Sequence, residues 1–252
     1  MIRLKTEEQI KRIREACHLT ARLMDELSRY IEVGMSTLDV DQYCYQFIVK
    51  NKGVPAFLHY EGFPATACIS VNEEVIHGIP SSKRIICEGD LVDVDLGINL
   101  DGHFSDMART FIVGKTKDEY RKLCEVTEQS LKLAIDAARA KGARIQDIGS
   151  AVYKHATKHG YGVVRDYCGH GVGLAVHEEP EIPNYTSSYL PNPRLREGMV
   201  LAIEPMINLG THKVKVLAND WTVVTMDGLP SAHFEDTVAC TKNGLEVLTV
   251  LD

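Results

Sequence analysis

The chain matches itself. Glu88 to Asp95, EGDLVDVD, resembles Glu197 to Glu204, EGMVLAIE, at a shift of 109 residues. Each octapeptide is preceded by two helical patterns, and the second helices correspond at a shift of about 108, where STLDV (36–40) faces RIQDI (144–148). One short match would mean little. A helix pair and a strand repeating at one offset indicate a duplicated unit whose two copies bury their apolar faces against each other. The halves run roughly over 1–112 and 113–252. In the first, TEEQ (6–9) reads as a capping box, the apolar spacing continues to Ile31 and Gly34 stops it; a second helix covers Thr37 to Lys50, before Gly53. In the second, TKDE (116–119) caps a helix running to about Lys141 with Gly142 as its stop, and another spans about Gln146 to Lys158, ended by Gly160.

Paired helices followed by strands, twice over, give an α+β fold with a curved, mostly antiparallel sheet and two halves related by a pseudo-twofold axis. No linker or low-complexity tract interrupts the 252 residues, so a single catalytic domain over 1–252 is expected. The formal charge of −7 speaks against nucleic acid or an anionic membrane as partner. The charged N-terminal stretch has no apolar core of a secretory signal, and no apolar run approaches the ~20 residues that span a bilayer. A cytoplasmic protein is expected. Its seven cysteines (17, 44, 68, 87, 124, 168 and 240) form no Cys-x-x-Cys pair, which excludes the usual zinc-finger spacings and leaves most of them as small buried apolar residues.

The first copy carries acids where a strand does not want them. In LVDVDLGINLDGHFSDMARTF (91–111), Asp101-Gly102 marks a two-residue hairpin, because Gly accepts the positive φ of such turns. A turn there sets Leu100 opposite His103 and Gly97 opposite Asp106, so that Asp95 becomes the diagonal neighbour of Asp106, roughly 7–8 Å away before the side chains converge. Gly97, without a side chain, leaves a gap between them. Converging anions repel unless a proton or a cation lies between them. From the hairpin alone two readings stand: a cation site, or one Asp turned to solvent from a two-sided sheet.

The repeat supplies more acids. It aligns Asp95 with Glu204, and Glu235 in SAHFEDTVACT (231–241) lies in a return strand as Asp106 does, after a longer hairpin with Asp227-Gly228 and Pro230 as turn residues. Between the halves, YCGHGVGLAVHEEPEIPNY (167–185) flanks His170 with Gly169, Gly171 and Gly173, which implies unusual backbone angles or close approach. A lone His is more often core or surface than ligand, but here four carboxylates accompany it. One imidazole with Asp95, Asp106, Glu204 and Glu235, and no thiolate, suits Mn²⁺, Fe²⁺, Co²⁺ or Zn²⁺. Four negative charges exceed what one divalent ion balances and suit a pair about 3.5–4 Å apart, whose chemistry is hydrolysis of an amide or ester.

In the order and spacing of HGIP (77–80), DVDLGINLDGHFSD (93–106), GHGVGLAVHEEP (169–180), AIEPMI (202–207) and FEDTV (234–238), the chain resembles the type I methionine aminopeptidases over essentially its whole length. The resemblance implies the pita-bread (creatinase/aminopeptidase-like) fold, two divalent ions with a bridging hydroxide, and a monomeric cytoplasmic enzyme. It also implies removal of initiator methionine from nascent polypeptides and small peptides, with a small second residue preferred. Transient proximity to the ribosome follows as a family expectation, with no basic patch in the chain behind it. Residue by residue, Asp95, Asp106, His170, Glu204 and Glu235 fall on the metal ligands, Asp106 and Glu235 bridging, and Glu204 also handles the water's proton. His77 and His177 fall on the substrate-contacting histidines that aid catalysis, and Tyr60, Phe63, Cys68, His77 and Trp221 on the methionine pocket; for Tyr60 and Phe63 ordinary core is the competing reading. Asp93 matches no ligand and is expected to make structural hydrogen bonds. Val176 departs from the Phe usual in the family, leaving room beside His177. Xaa-Pro peptidases share the ligand pattern but usually carry a separate N-terminal domain, and here no N-terminal extension is read, zinc-binding or otherwise.

Overall fold

A computed structural model describes residues 1–251. Its four long helices are α1 (Glu7–Tyr30), α2 (Thr37–Lys50), α3 (Asp118–Ala138) and α4 (Ile145–Lys158). α2 and α4 lie 108 residues apart at both ends, as the repeat requires. Thr6 accepts from the Gln9 amide while the Gln9 side chain accepts from the Thr6 amide, the capping box read from the sequence; Ser36 and Asp39 do the same for α2. The expected cap at Thr116 is absent. Lys117 is the N-cap of α3, without a side-chain bond, and the Thr116 hydroxyl donates instead to the Gly89 carbonyl at 2.7 Å. That bond has a mirror: the Lys5 amide, just ahead of α1, donates to the carbonyl of Gly198, the counterpart of Gly89, at 2.7 Å. The segment leading into each first helix is therefore tied to the turn before the acid-bearing strand of the other half.

The principal sheet has ten strands, and along its main path run 178–182, 169–171, 200–203, 231–241, 107–112, 91–96 and 68–71, every neighbour antiparallel. Strand alternation sorts each of these segments into a core set and a site set. Val92, Val94 and Leu96 are buried with Leu23, Leu27, Val40 and Phe47 of α1 and α2, whereas Leu201, Ile203, Phe234 and Val238 are buried with Leu131, Ile135, Ile148 and Val152 of α3 and α4. Each such side chain contributes on the order of 1.5–3 kcal/mol when buried. The residues in between, Asp93, Asp95 and Glu235, are buried too, and they point the other way.

The first hairpin has the register that its turn demands. Asp101 and Gly102 have φ of 48° and 80°, Leu100 pairs with His103, and Asp95 pairs with Ala108. Gly97 does not leave a gap between carboxylates, however. A Cβ there would lie 2.7 Å from the Ser105 carbonyl and 3.1 Å from Ala56 and Phe57, so the space is filled by close packing. The longer second hairpin contains a smaller one: Val214–Val216 pairs with Val223–Thr225, which pairs in turn with Glu74–Ile76. This side sheet carries Trp221 and His77 to the same place.

The centre of the sheet corrects the pairing of acids across the halves. Ile203 pairs with Asp236 and Met206 with His233, which sets Glu204 opposite Glu235, just as Asp95 sits opposite Ala108. Glu235 itself pairs with Ala108. The pseudo-twofold axis thus passes through that pair, and the counterpart of Asp106 is His233. Hydrogen bonds show the same symmetry. Thr110 exchanges two with the His233 backbone (2.9 and 2.9 Å), and Thr237 exchanges two with the Asp106 backbone (3.2 and 2.7 Å).

Candidate functional site

The two acid-bearing hairpins and the 169–171 strand meet at the floor of a cavity of ≈ 120 Å³. Asp95, Asp106, His170, Glu204 and Glu235 all line it, together with His77, His177, Tyr60, Phe63, Cys68 and Trp221. One ligating atom each from Asp106, His170 and Glu235 lies within 4.8 Å of the others. Glycines let His170 reach this spot. A Cβ on Gly169 would stand 2.4 Å from the Ala202 carbonyl and one on Gly171 2.3 Å from the Glu179 carbonyl, so only bare backbone fits between the neighbouring strands.

The His170 ring is oriented by its own backbone. Nδ1 lies 2.9 Å from the Gly171 carbonyl and donates to it, leaving the Nε2 lone pair directed at Glu204 Oε1 (3.5 Å) and Asp106 Oδ2 (3.7 Å). Burial, with His177 adding to it, pushes the imidazole down to about 3, so it is neutral at neutral pH. A neutral, backbone-oriented imidazole beside carboxylates is what a metal ligand requires.

The carboxylates tell the same story. Burial first, and then their mutual repulsion, raises Asp106 and Glu235 well above the usual range and Asp95 to about 8; burial also raises Glu204. Asp95 Oδ1, Asp106 Oδ1 and Glu235 Oε1 are buried without a hydrogen-bond partner among the described residues. Buried polar atoms are normally satisfied. Three orphaned carboxylate oxygens and an imidazole lone pair lining one cavity fit a divalent cation.

A pH dependence follows. In the metal-free protein these carboxyls hold protons more tightly folded than unfolded, so the stability they contribute is fully present below their ordinary pKa and is lost as pH rises through the folded values, about 8 for Asp95. The melting temperature of chelator-treated protein is expected to fall from about pH 4 to about pH 8, and Mn²⁺ or Co²⁺ to abolish the fall. Calorimetry on both forms checks it, and a flat profile after chelation would refute the mutual crowding.

Asp93 makes the structural bonds expected of it, accepting from Thr110 Oγ1 (3.4 Å) and facing His233 Nδ1 (3.3 Å). His233 is the residue that sequence reasoning passed over. Buried at 1% exposure, it places Nε2 3.6 Å from Glu204 Oε2. Burial alone would lower its pKa, but Asp93, Glu204 and Asp95 together push it well up. A lone His inside SAHFED carries no signal beyond its parity with Glu235.

The cavity wall is aromatic. Phe63 meets Trp221 edge-on at 5.1 Å, and His77 meets Trp221 at 6.1 Å and Tyr167 at 5.8 Å. Burial lowers His77 to about 4. Tyr60 contacts the His177 ring, and its hydroxyl lies 3.1 Å from His177 Nδ1. The loop leading to His177 is held by Glu178, whose carboxylate accepts from the Leu174 and Ala175 amides (2.8 and 3.2 Å) and from the buried Lys5 ammonium (2.9 Å). Val176 is 4% exposed and packed in a cluster with Phe57, Phe63 and Cys68. It stands behind the wall, so the room expected beside His177 is taken up by neighbours. Val176→Phe is expected to overpack this cluster, costing about 1–3 kcal/mol, and to lower kcat/KM for Met-Ala-Ser relative to Leu-Ala-Ser. An unchanged ratio would leave Val176 as packing alone.

Comparison with known proteins agrees with this geometry. The family model for metallopeptidase family M24 matches residues 11–242. The methionine aminopeptidase of Treponema pallidum is 53% identical over 249 residues, covering 99% of this chain and 96% of its own. The crystal structure of a methionine aminopeptidase from Thermotoga maritima superposes with a TM-score of 0.94 at 40% identity, covering 99% of both chains. A prolidase from Pyrococcus furiosus superposes at 0.77 with 30% identity, 99% of this chain covering 66% of that one.

Proposed function

The chain belongs to metallopeptidase family M24, and from that membership we propose that it is a methionine aminopeptidase, removing the initiator methionine from nascent polypeptides and small peptides with a preference for a small second residue. The observation that carries this reading is the juxtaposition of the buried Asp95, Asp106 and Glu235, the half-buried Glu204 and a neutral His170 with an apolar, aromatic-walled cavity. We assign the metal to Asp95, Asp106, His170, Glu204 and Glu235, whose combined charge would suit two divalent ions of the Mn, Fe, Co or Zn type.

Bound divalent ions would polarise the scissile carbonyl and make a water molecule acidic enough to attack it. The rest belongs to side chains. Tyr60, Phe63, Cys68 and Trp221 take the methionine side chain, whose polarisable sulfur packs well on ring edges. His177 and His77 line the same cavity, and each would donate a hydrogen bond to the oxygen that gains charge as the carbonyl is attacked. Glu204, raised by burial above the ordinary carboxylate range, is suited to accept the attacking water's proton and return it to the leaving amine. The excess of carboxylates over cationic side chains at the cavity floor also favours a substrate with a free α-ammonium, which only a chain end possesses.

The competing member of the family is an Xaa-Pro peptidase, and 30% identity to a prolidase against 53% to a methionine aminopeptidase argues for the latter. Metal-loaded protein is expected to release methionine from Met-Ala-Ser and to leave an Xaa-Pro dipeptide intact. Cleavage of the dipeptide alone would overturn the assignment.

A further inference from the structure

The pseudo-twofold symmetry places a histidine where the other half has a ligand. His233 is the counterpart of Asp106, each two residues before the paired positions Glu235 and Ala108 on the axis. Its side chain consequently emerges on the ligand face. It does not reach the ligand trio formed by Asp106, His170 and Glu235; it stops against Glu204. We propose that His233, braced by Asp93, is a positioning residue that sets the orientation of Glu204 in the metal site.

Four observations support this. First, Glu204 stands between two imidazoles, with Oε1 3.5 Å from His170 Nε2 and Oε2 3.6 Å from His233 Nε2, so its oxygens have different neighbours. Second, the opposite edge of the His233 ring is fixed, Nδ1 lying 3.3 Å from Asp93 Oδ2, while Thr110 holds the His233 backbone by two hydrogen bonds of 2.9 Å. Third, His233 Nε2 is buried and has no hydrogen-bond partner among the described residues, and the polar group that faces it is the Glu204 carboxylate. Fourth, Ala202 takes the place in the second half that Asp93 takes in the first, so this Asp–His–Glu row occurs once and is not a by-product of the duplication. With Oε2 turned to His233, Oε1 is the oxygen that Glu204 presents beside His170. Groups that orient a ligand in this way typically govern metal affinity by about 10–100-fold.

The proposal rests on the assignment of Glu204 as a ligand, and calorimetric titration of chelator-treated protein with Mn²⁺ and with Co²⁺ tests the two separately. His233→Leu, which fills the site without a polar edge, is expected to weaken metal binding by about 10–100-fold and to lower kcat on Met-Ala-Ser at saturating metal. His233→Gln, which supplies an N–H at similar reach, is expected to restore most of both, whereas His233→Asn, polar but shorter, is not. The Gln and Asn comparison carries the test should the Leu variant fold poorly. Equal affinity and kcat in wild type, Gln and Asn proteins would overturn the positioning role. Failure of the wild-type protein to bind either metal would instead overturn the metal assignment beneath it.

Discussion

Asp106→Asn is expected to lower kcat/KM on Met-Ala-Ser by well over the roughly 100-fold that marks loss of a group merely supporting a ligand, and to remove metal from the purified protein. Asp106 Oδ2 faces His170 Nε2 at 3.7 Å, and its Oδ1 is buried with nothing to bond. An amide in its place offers one weak neutral acceptor and directs an N–H₂ donor toward cations, so it would hold a divalent ion poorly. The fold is expected to persist. The hydrogen bonds between the Asp106 backbone and Thr237 are untouched by the change, and one fewer carboxyl relieves the crowding that raises Glu235. Metal analysis, peptide hydrolysis and thermal melting on one preparation check all three statements. Near-normal turnover with a full complement of metal would sink the assignment of Asp106 as a ligand.

What could be read in advance depended on turn geometry. Asp101-Gly102 fixes the register of the first hairpin within one residue pair, so the meeting of Asp95 and Asp106 follows from counting. The second hairpin has no such anchor. Between Asn208 and Ser231 the chain builds a separate pair of strands, so the residue opposite Glu204 and the counterpart of Asp106 cannot be counted off from the turn residues. Matching Asp106 with Glu235 by chemical type was therefore natural and structurally incorrect; the axis relates Asp106 to His233. The same limit hid His233 itself, because strand parity gives its face but not its distance from Glu204. Helices were legible where local chemistry decides, as at Thr6 and Ser36. At Thr116 a tertiary partner, the Gly89 carbonyl, took the hydroxyl that a cap would have used. Periodicity also cannot show what fills a space, which is why the sequence reads as open at Gly97 and Val176, where Phe57 and its neighbours pack.

His177→Ala is expected to lower kcat about 100- to 1,000-fold, the usual consequence of losing one preorganised donor to a developing oxyanion, while metal content stays at the wild-type level. The two effects separate because His177 lies at the cavity mouth, outside the carboxylate cluster. Its Nδ1 is engaged by the Tyr60 hydroxyl at 3.1 Å, and its ring packs on His170 with centroids 4.2 Å apart. Burial keeps its pKa below the ordinary value, so at neutral pH it is a neutral imidazole that offers one N–H. In the tautomer whose Nδ1 accepts from the Tyr60 hydroxyl, that N–H sits on Nε2, where it would face the substrate. Tyr60→Phe removes the partner without emptying the pocket and is expected to lower kcat more than it raises KM, because methionine still has its aromatic wall. His177→Ala also opens a path to the His170 ring, so metal stoichiometry has to be measured alongside kinetics. Should stoichiometry fall in step with activity, His177 is a ligand, and the inner cluster contains one histidine more than the five-residue assignment allows.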